Sequence, residues 1–178
     1  MRAFIAINLP DDVKAKISEV ITSIPGNVIK VSNKNLHITL QYLGNINAEQ
    51  EAAAKAILSS IKIKKFNAEI RGISYFGAHK IHTVYARVND PVIIPSIYRN
   101  ISEKLKLHGI IIENEREYIP HVTLCRVKGG NNKDLRAYIN EHSDFFFGKI
   151  LVSSLSLERS DLSLSGPVYS TIYECDFL

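Results

Sequence analysis

The chain has only two cysteines and no long apolar run. Cys125 and Cys175 form no CxxC pair, so the sequence predicts neither a disulfide framework nor a zinc site of that kind. No stretch approaches the roughly 18 to 20 apolar residues that a membrane-spanning helix needs. The short apolar run at the start is followed at once by Pro10, Asp11 and Asp12, which is typical of a strand and a helix start, not of a signal peptide. We therefore expect a cytoplasmic protein without a membrane segment.

The sequence also lacks a dense block of like charge. Its 22 lysines and arginines against 18 acidic residues give a net charge of +4, and the basic residues are scattered. This excludes a basic nucleic-acid-binding tail, although the charge is compatible with a phosphate-rich partner. A hydrophobic content of 46% over 178 residues is typical of one globular domain with a real core.

What the sequence does contain is an internal repeat. The segment LHITLQYLG begins at Leu36 and PHVTLCRVK begins at Pro120, about half the chain apart. A strand, an asparagine, a proline and a helix precede each segment, and a helix follows each. A duplicated unit of this kind predicts an α+β fold, bilobal and pseudo-twofold, with two antiparallel sheets facing a central cleft and helices packed outside. We expect a single bilobal domain over residues 1–178, whose pseudo-repeat halves, roughly 1–90 and 91–178, are not independent.

Each repeat places a histidine and a threonine on one face of a predicted strand. Residues i and i+2 of a strand share a face, so His37 lies beside Thr39, and His121 lies beside Thr123. The aliphatic residues between them point the other way into the core. A buried histidine needs a polar partner, so placing two matched histidines in the core would cost stability. The pattern therefore favours a functional site. By the same alternation Cys125 should border this face, where a bulky thiol reagent would interfere.

Two imidazoles facing one another suit proton transfer at phosphorus. With a pKa near 6.5, one histidine can take a proton from water while the other gives one to a leaving oxygen. The threonine hydroxyls can donate hydrogen bonds to the non-bridging phosphate oxygens, where charge builds up. A zinc site is the alternative, but catalytic zinc usually has three protein ligands, and no carboxylate recurs near either motif. We therefore expect a phosphodiester site without a metal or another cofactor.

The doubled HITL and HVTL motif, with its flanks, resembles the two-histidine phosphoesterase superfamily. Within it, the chain is similar to the RNA 2′,3′-cyclic phosphodiesterases, also called the 2′-5′ RNA ligase family. The similarity runs along most of the chain, including MRAFIAINLP at the start, HGIIIENEREYIPHVTLCRVK over residues 108–128 and LERSDLSLSGPVYSTIYECDFL at the end. It implies a bilobal fold and an enzyme that opens a terminal 2′,3′-cyclic phosphate on RNA to leave a 2′-phosphate.

The resemblance also implies roles for the residues of the motif. His37 would protonate the departing 3′ oxygen and His121 would activate water, while Thr39 and Thr123 bind the phosphate. Arg126 matches an arginine that helps to hold the phosphate. Strict alternation would turn Arg126 away from the histidines, so the strand must bulge or end before it, or the side chain must reach around.

Three aromatic residues are candidates to stack a base or a ribose of the substrate. Tyr42 occupies the position equivalent to Arg126 in the first repeat, and Phe76 and Tyr118 lie in segments that carry the resemblance. Stacking on aromatic side chains is common in RNA-binding clefts. Packing in the core is the alternative for each of the three.

Other functions are compatible with the same motifs. The cleft could join a 2′,3′-cyclic phosphate end to a 5′ hydroxyl, act on small cyclic nucleotides, or bind RNA without catalysis. The intact motifs argue against binding alone, because a binding surface needs charge and stacking but not two proton carriers. The expected partner is RNA with a 2′,3′-cyclic phosphate end, such as a tRNA fragment, and the expected state is a monomer.

Overall fold

The computed structural model describes residues 1–110, 117–130, 132–164 and 166–178. The segment quoted above for residues 108–128 therefore lies partly outside the described residues, at 111–116. Within the described ranges the chain forms nine strands, four α-helices and one 3₁₀ helix. In chain order these are β1 (Arg2–Asn8), α1 (Asp11–Ser23), β2 (Asn27–Lys30), the 3₁₀ helix (Asn33–Asn35), β3 (His37–Asn45), α2 (Ala48–Ser59), β4 (Phe66–Phe76), β5 (Thr83–Asn89), α3 (Ile93–Leu107), β6 (His121–Gly129), α4 (Lys133–Glu141), β7 (Phe146–Val152), β8 (Ser154–Ser163) and β9 (Gly166–Asp176).

The strands form one antiparallel sheet made of two halves. Strands β7-β4-β5-β6 form one half and β3-β1-β8-β9 the other, while β2 pairs with β6 off this path. The halves meet between β3 and β6, where Ile38 lies opposite Val122. The predicted α+β, pseudo-twofold fold is confirmed, and the two predicted sheets are the halves of one sheet, joined at the centre by this residue pair. The two strands that carry the histidine motifs are the two central strands.

Neither half-sheet is made from one half of the sequence alone. Strand β8 pairs with β1, and β7 pairs with β4. Helix α1 follows β1 but packs on β6 and β7, whereas α3 follows β5 but packs on β3 and α2. The two lobes are therefore interleaved along the chain.

The helices cover one face of the sheet and leave the other face open. Helix α1 buries Val13, Ile17, Val20 and Ile21, and the acidic residues in its first turn interact favourably with the helix dipole. Ile38 contributes to the same core from the sheet. None of the helices in the described ranges is long and apolar enough to span a membrane. The opposite face, which carries His37 and His121, is called the histidine face below.

A bulge in β3 changes the alternation of its side chains. Ile5 and Ala6, adjacent on β1, lie opposite Gln41 and Thr39, so β3 holds one extra residue at this point. Gln41 is consequently buried with the core residues, and Tyr42 is exposed.

Strand β6 has the equivalent bulge. Val84 and Tyr85 of β5 lie opposite Cys125 and Thr123, so one residue of β6 is again extra. After the bulge Arg126 returns to the histidine face and is exposed. This resolves the conflict between strict alternation and a phosphate-binding role for Arg126.

The same bulge overturns the expectation for Cys125. Its side chain is 0% exposed and lies in the apolar core, not beside the histidines. Burial raises the pKa of the Cys125 thiol to about 11, so little reactive thiolate is present at neutral pH. The prediction that Cys125 borders the cleft was wrong, because it assumed an unbroken alternation.

We expect a bulky thiol reagent to label Cys175 of the native protein and to leave Cys125 unlabelled. Cys175 is half-buried, whereas Cys125 is buried. Titration with a chromogenic disulfide should therefore count one thiol per chain before unfolding and two afterwards. Cys175→Ser should lose the native-state signal, and prompt labelling of Cys125 would contradict its placement in the core.

Candidate active site

Each of the two histidines makes an equivalent hydrogen bond to the backbone. The Nδ1 atom of His37 donates to the backbone oxygen of Asn35 at 2.7 Å, and Nδ1 of His121 donates to the backbone oxygen of Ile119 at 2.7 Å. Because a carbonyl oxygen can only accept, Nδ1 must carry the hydrogen in both rings. The Nε2 atom of each histidine is therefore the one that exchanges protons.

The register at the centre of the sheet brings the histidines together. Ile38 and Val122 face one another, so His37 and His121 flank this pair diagonally and lie on the same face. In an antiparallel pair such diagonal neighbours are about 7 to 8 Å apart. The positive charge of His121 accordingly contributes to lowering the pKa of His37. The four residues of the doubled motif thus lie on one face of the two central strands.

Partial burial affects the titration of both rings. Desolvation lowers the pKa of His37 and of His121, and the hydrogen bond from each Nδ1 to a backbone oxygen opposes this effect. The hydroxyl of Thr39 lies 2.9 Å from Nε2 of His37. When His37 is neutral this hydroxyl donates to Nε2, and when it is charged the hydroxyl oxygen accepts.

Aromatic rings hold His37 in place. The Phe4 ring lies 4.8 Å from the imidazole, centroid to centroid, and the Tyr169 ring meets it edge-on at 5.4 Å. The sequence reasoning missed both residues. The position of Phe4 can be read from the alternation of β1, because its neighbour Ile5 faces the core. The position of Tyr169 cannot, because it depends on the packing of β9 near β1, two strands that are far apart in the sequence.

His121 has an aromatic frame of its own. Phe76 meets the imidazole edge-on at 4.9 Å, and Tyr85 lies at 5.3 Å. Phe76 also stacks on Tyr85 at 4.2 Å. Phe76 therefore lies at the site, where it packs against the histidine.

A cavity of about 730 Å³ opens beside the aromatic rings that pack on His37, and two of the predicted binding residues line it. Tyr42 and Arg126 line it, together with Arg2, Phe4 and Tyr169. The side chain of Tyr42 is 54% exposed, so its ring is available to a ligand. Arg126 forms no ion pair with the described residues, which leaves its guanidinium available for an anion. Phe4 and Tyr169 line this cavity and also contact His37, so they connect the cavity to the histidine.

Tyr118 lies away from this cavity and braces the central strand. Its hydroxyl donates to the backbone oxygen of Thr39 at 2.9 Å, and its ring stacks on Tyr98 at 4.1 Å. Burial raises the pKa of the Tyr118 hydroxyl far above its usual range. These contacts assign Tyr118 to support of the β3 backbone at the motif.

The arrangement suits acid–base chemistry on a small anion. It combines two imidazole Nε2 atoms, two threonine hydroxyls and one arginine on a partly desolvated face. Among the described residues, no cluster of three or more histidine, cysteine or acidic side chains could hold a metal ion.

Known proteins match this sequence along nearly its whole length. The family model described as the AKAP7 2′5′ RNA ligase-like domain matches residues 4–177. The RNA 2′,3′-cyclic phosphodiesterase of Methanocaldococcus jannaschii is 32% identical, with 98% of this chain and 99% of that protein covered. The protein of the same name from Methanothermobacter thermautotrophicus is 30% identical, with 96% and 95% covered.

Solved structures share the fold. The protein TT0787 of Thermus thermophilus superposes with a TM-score of 0.84 at 24% identity, covering 99% of this chain and 97% of that one. Escherichia coli LigT complexed with 3′-AMP superposes with a TM-score of 0.83 at 19% identity over the same shares of the two chains.

Removing the Tyr118 hydroxyl should destabilise the protein. Tyr118→Phe leaves the backbone oxygen of Thr39 without this donor, and we expect a loss of about 0.5 to 1.5 kcal/mol in the free energy of unfolding. Urea denaturation measures the change. Tyr42→Phe is the matched control, since its exposed hydroxyl has no hydrogen-bond partner among the described residues, and equal stability of the two variants would contradict the bracing role.

Proposed function

This chain belongs to the 2′-5′ RNA ligase-like family, whose model spans nearly all of it, and we propose that it is an RNA 2′,3′-cyclic phosphodiesterase. The curated relatives that are about 30% identical over the full length carry that name. The observation that carries the proposal is the pair of histidines on the central strands, each with Nδ1 bound to a backbone oxygen. This leaves two Nε2 atoms for the two proton transfers of the reaction.

The reaction is an in-line displacement at phosphorus. Water attacks the cyclic phosphate, a new P–O bond forms, and the bond between phosphorus and the 3′ oxygen breaks. His121 takes the proton from the water through Nε2, and His37 gives its Nε2 proton to the departing 3′ oxygen. The products are a 3′ hydroxyl and a 2′-phosphate, so each histidine ends in the protonation state in which the other began.

The phosphate is held by neutral and charged donors on the histidine face. Thr39 and Thr123 donate from their hydroxyls to the non-bridging oxygens, and Arg126 adds a charge-assisted hydrogen bond from the neighbouring cavity. The hydroxyl of Thr39 lies 2.9 Å from Nε2 of His37. This distance supports a role for Thr39 next to the proton that His37 transfers.

The aromatic candidates take different roles in this proposal. Tyr42 stacks on a base or ribose of the substrate, which its exposure and its place in the cavity support. Phe76 packs against His121 and orients its ring. Tyr118 acts only through the backbone of β3.

Ligation is the second candidate function. A 5′ hydroxyl in the place of water would give a 2′-5′ linkage through the same two histidines, and the description of the matching family as 2′-5′ RNA ligase-like favours this possibility. Origin of the substrate in tRNA fragments, a monomeric state, independence of metal ions and a cytoplasmic location stay predictions.

The decisive assay uses a short RNA that ends in a 2′,3′-cyclic phosphate, with chelator present. The product should gain the mass of one water and carry a 2′-phosphate, and a 5′-hydroxyl acceptor in a parallel reaction separates joining from hydrolysis. His37→Ala and His121→Ala should each lower the rate by about 10² to 10⁴. A His37→Ala protein that works at the parent rate would end the proposal.

Removing either threonine hydroxyl should weaken binding of the transition state. Thr39→Val or Thr123→Val loses a hydrogen bond to a charged oxygen, which is worth about 1.5 to 3 kcal/mol. We expect kcat/KM to fall by roughly 10- to 100-fold. Thr22→Val is the control, because this hydroxyl bonds to the backbone of Glu19 within α1 and lies outside the site. Equal activity of the three variants would exclude a role of the hydroxyls.

A further inference from the structure

The two repeats supply matching histidines, but the surroundings of these histidines differ. Beside His37, strand β8 contributes Glu158, a carboxylic acid that is only 5% exposed. Glu158 lies opposite Phe4, the residue whose ring packs on His37. Beside His121 the contacting side chains are the rings of Phe76 and Tyr85.

The Glu158 carboxylate is fixed by two neutral donors. Its Oε1 accepts hydrogen bonds from Nδ2 of Asn8 at 3.2 Å and from Oγ1 of Thr171 at 2.8 Å. Asn8 is itself the partner of His37 in the pairing of β1 with β3. Within the described ranges Glu158 forms no ion pair within 4 Å, although two lysines line the same cavity.

Glu158 and His37 face the same small space. Both line a polar cavity of about 230 Å³ on the histidine face, separate from the larger cavity that holds Arg126. Lys14 of α1 and Lys34 of the 3₁₀ helix line it too, as do the polar side chains of Asn8, Tyr169 and Thr171. Because the Glu158 side chain is itself buried, its charge interacts more strongly with its neighbours than it would in bulk water.

We propose that Glu158 is a positioning residue that holds the proton on His37, and that it thereby makes His37, not His121, the proton donor. The inference rests on the proposed function and deepens it. The reaction needs one imidazole charged and the other neutral at the start, whereas two equal environments would favour neither arrangement. A carboxylate near only one of the rings provides the difference.

The groups around His37 act on its pKa in both directions: burial and two positive charges lower it, while the backbone oxygen of Asn35 and the carboxylate of Glu158 raise it. Burial is the largest influence and lowers the pKa of His37, as do the positive charges of His121 from β6 and Lys14 from α1. The negative charge of Glu158 raises the pKa of His37. For His121, burial lowers the pKa and the Ile119 carbonyl raises it, with no acidic side chain of the described residues contributing. Glu158 therefore favours the charged form of His37 alone.

The test is Glu158→Gln, which keeps the size of the side chain and an oxygen that can accept both hydrogen bonds. The quantity to measure is kcat/KM against pH on cyclic-phosphate RNA, since its two limbs report the acid and the base of the free enzyme. Loss of the charge should lower the pKa of His37 and move the alkaline limb to lower pH. The acid limb, set by His121, should stay in place.

Two further variants separate charge from structure. Glu158→Asp keeps the charge, so its alkaline limb should lie closer to that of the parent than the limb of Glu158→Gln. Glu174→Gln is the matched control, because this carboxylate accepts a hydrogen bond from Ser154 at 2.6 Å and is not among the residues that line the cavity. Its profile should equal that of the parent.

An NMR titration of the histidine ring protons without substrate tests the same point independently of activity. The midpoint of His37 should fall in Glu158→Gln while that of His121 stays unchanged. Unchanged midpoints and limbs, or both limbs moving together, would overturn the role of Glu158. Absence of activity in the parent protein would instead overturn the proposed function, and the titration would still decide the effect of Glu158 on His37.

Discussion

The site depends on one contact between two strands, the pairing of Ile38 with Val122 at the centre of the sheet. Both side chains are fully buried against the helices, so the apolar core holds the two central strands in this register. A slip by one residue would turn every side chain of one strand to the opposite face. The same burial that stabilises the fold therefore keeps His37 and His121 on a common face.

The elements around this contact decide what each histidine can do. The bond from Nδ1 to a backbone oxygen two residues earlier sets the tautomer, and the aromatic rings limit the motion of each imidazole. Both effects come from groups outside the motif. Partial burial lowers the pKa of both rings and so favours the neutral form that accepts a proton. For His37 the negative charge of Glu158 opposes this effect.

Much of this arrangement follows from local sequence patterns. The order of strands and helices, the sharing of a face by His37 and Thr39, and the matching of the two repeats all depend on spacings of a few residues. The bulges do not, because an extra residue in one strand is defined only by its partner strand. This is why alternation predicted a cleft position for Cys125, which is buried, and left the position of Arg126 open. Local patterns also cannot predict contacts between distant parts of the chain. Tyr169 and Glu158 lie near His37, but they belong to strands far along the sequence, and no motif marks them.

Interleaving of the lobes also explains how a duplicated site can become asymmetric. The central strands repeat closely because both must present a histidine and a threonine on one face and aliphatic residues on the other. The flanking strands have no such shared requirement, since β8 lies beside one repeat and β4 beside the other. A carboxylate could therefore arise next to His37 while aromatic rings surround His121. The reaction needs opposite protonation states in His37 and His121. The flanking strands, not the motif itself, determine which of the two histidines carries the proton.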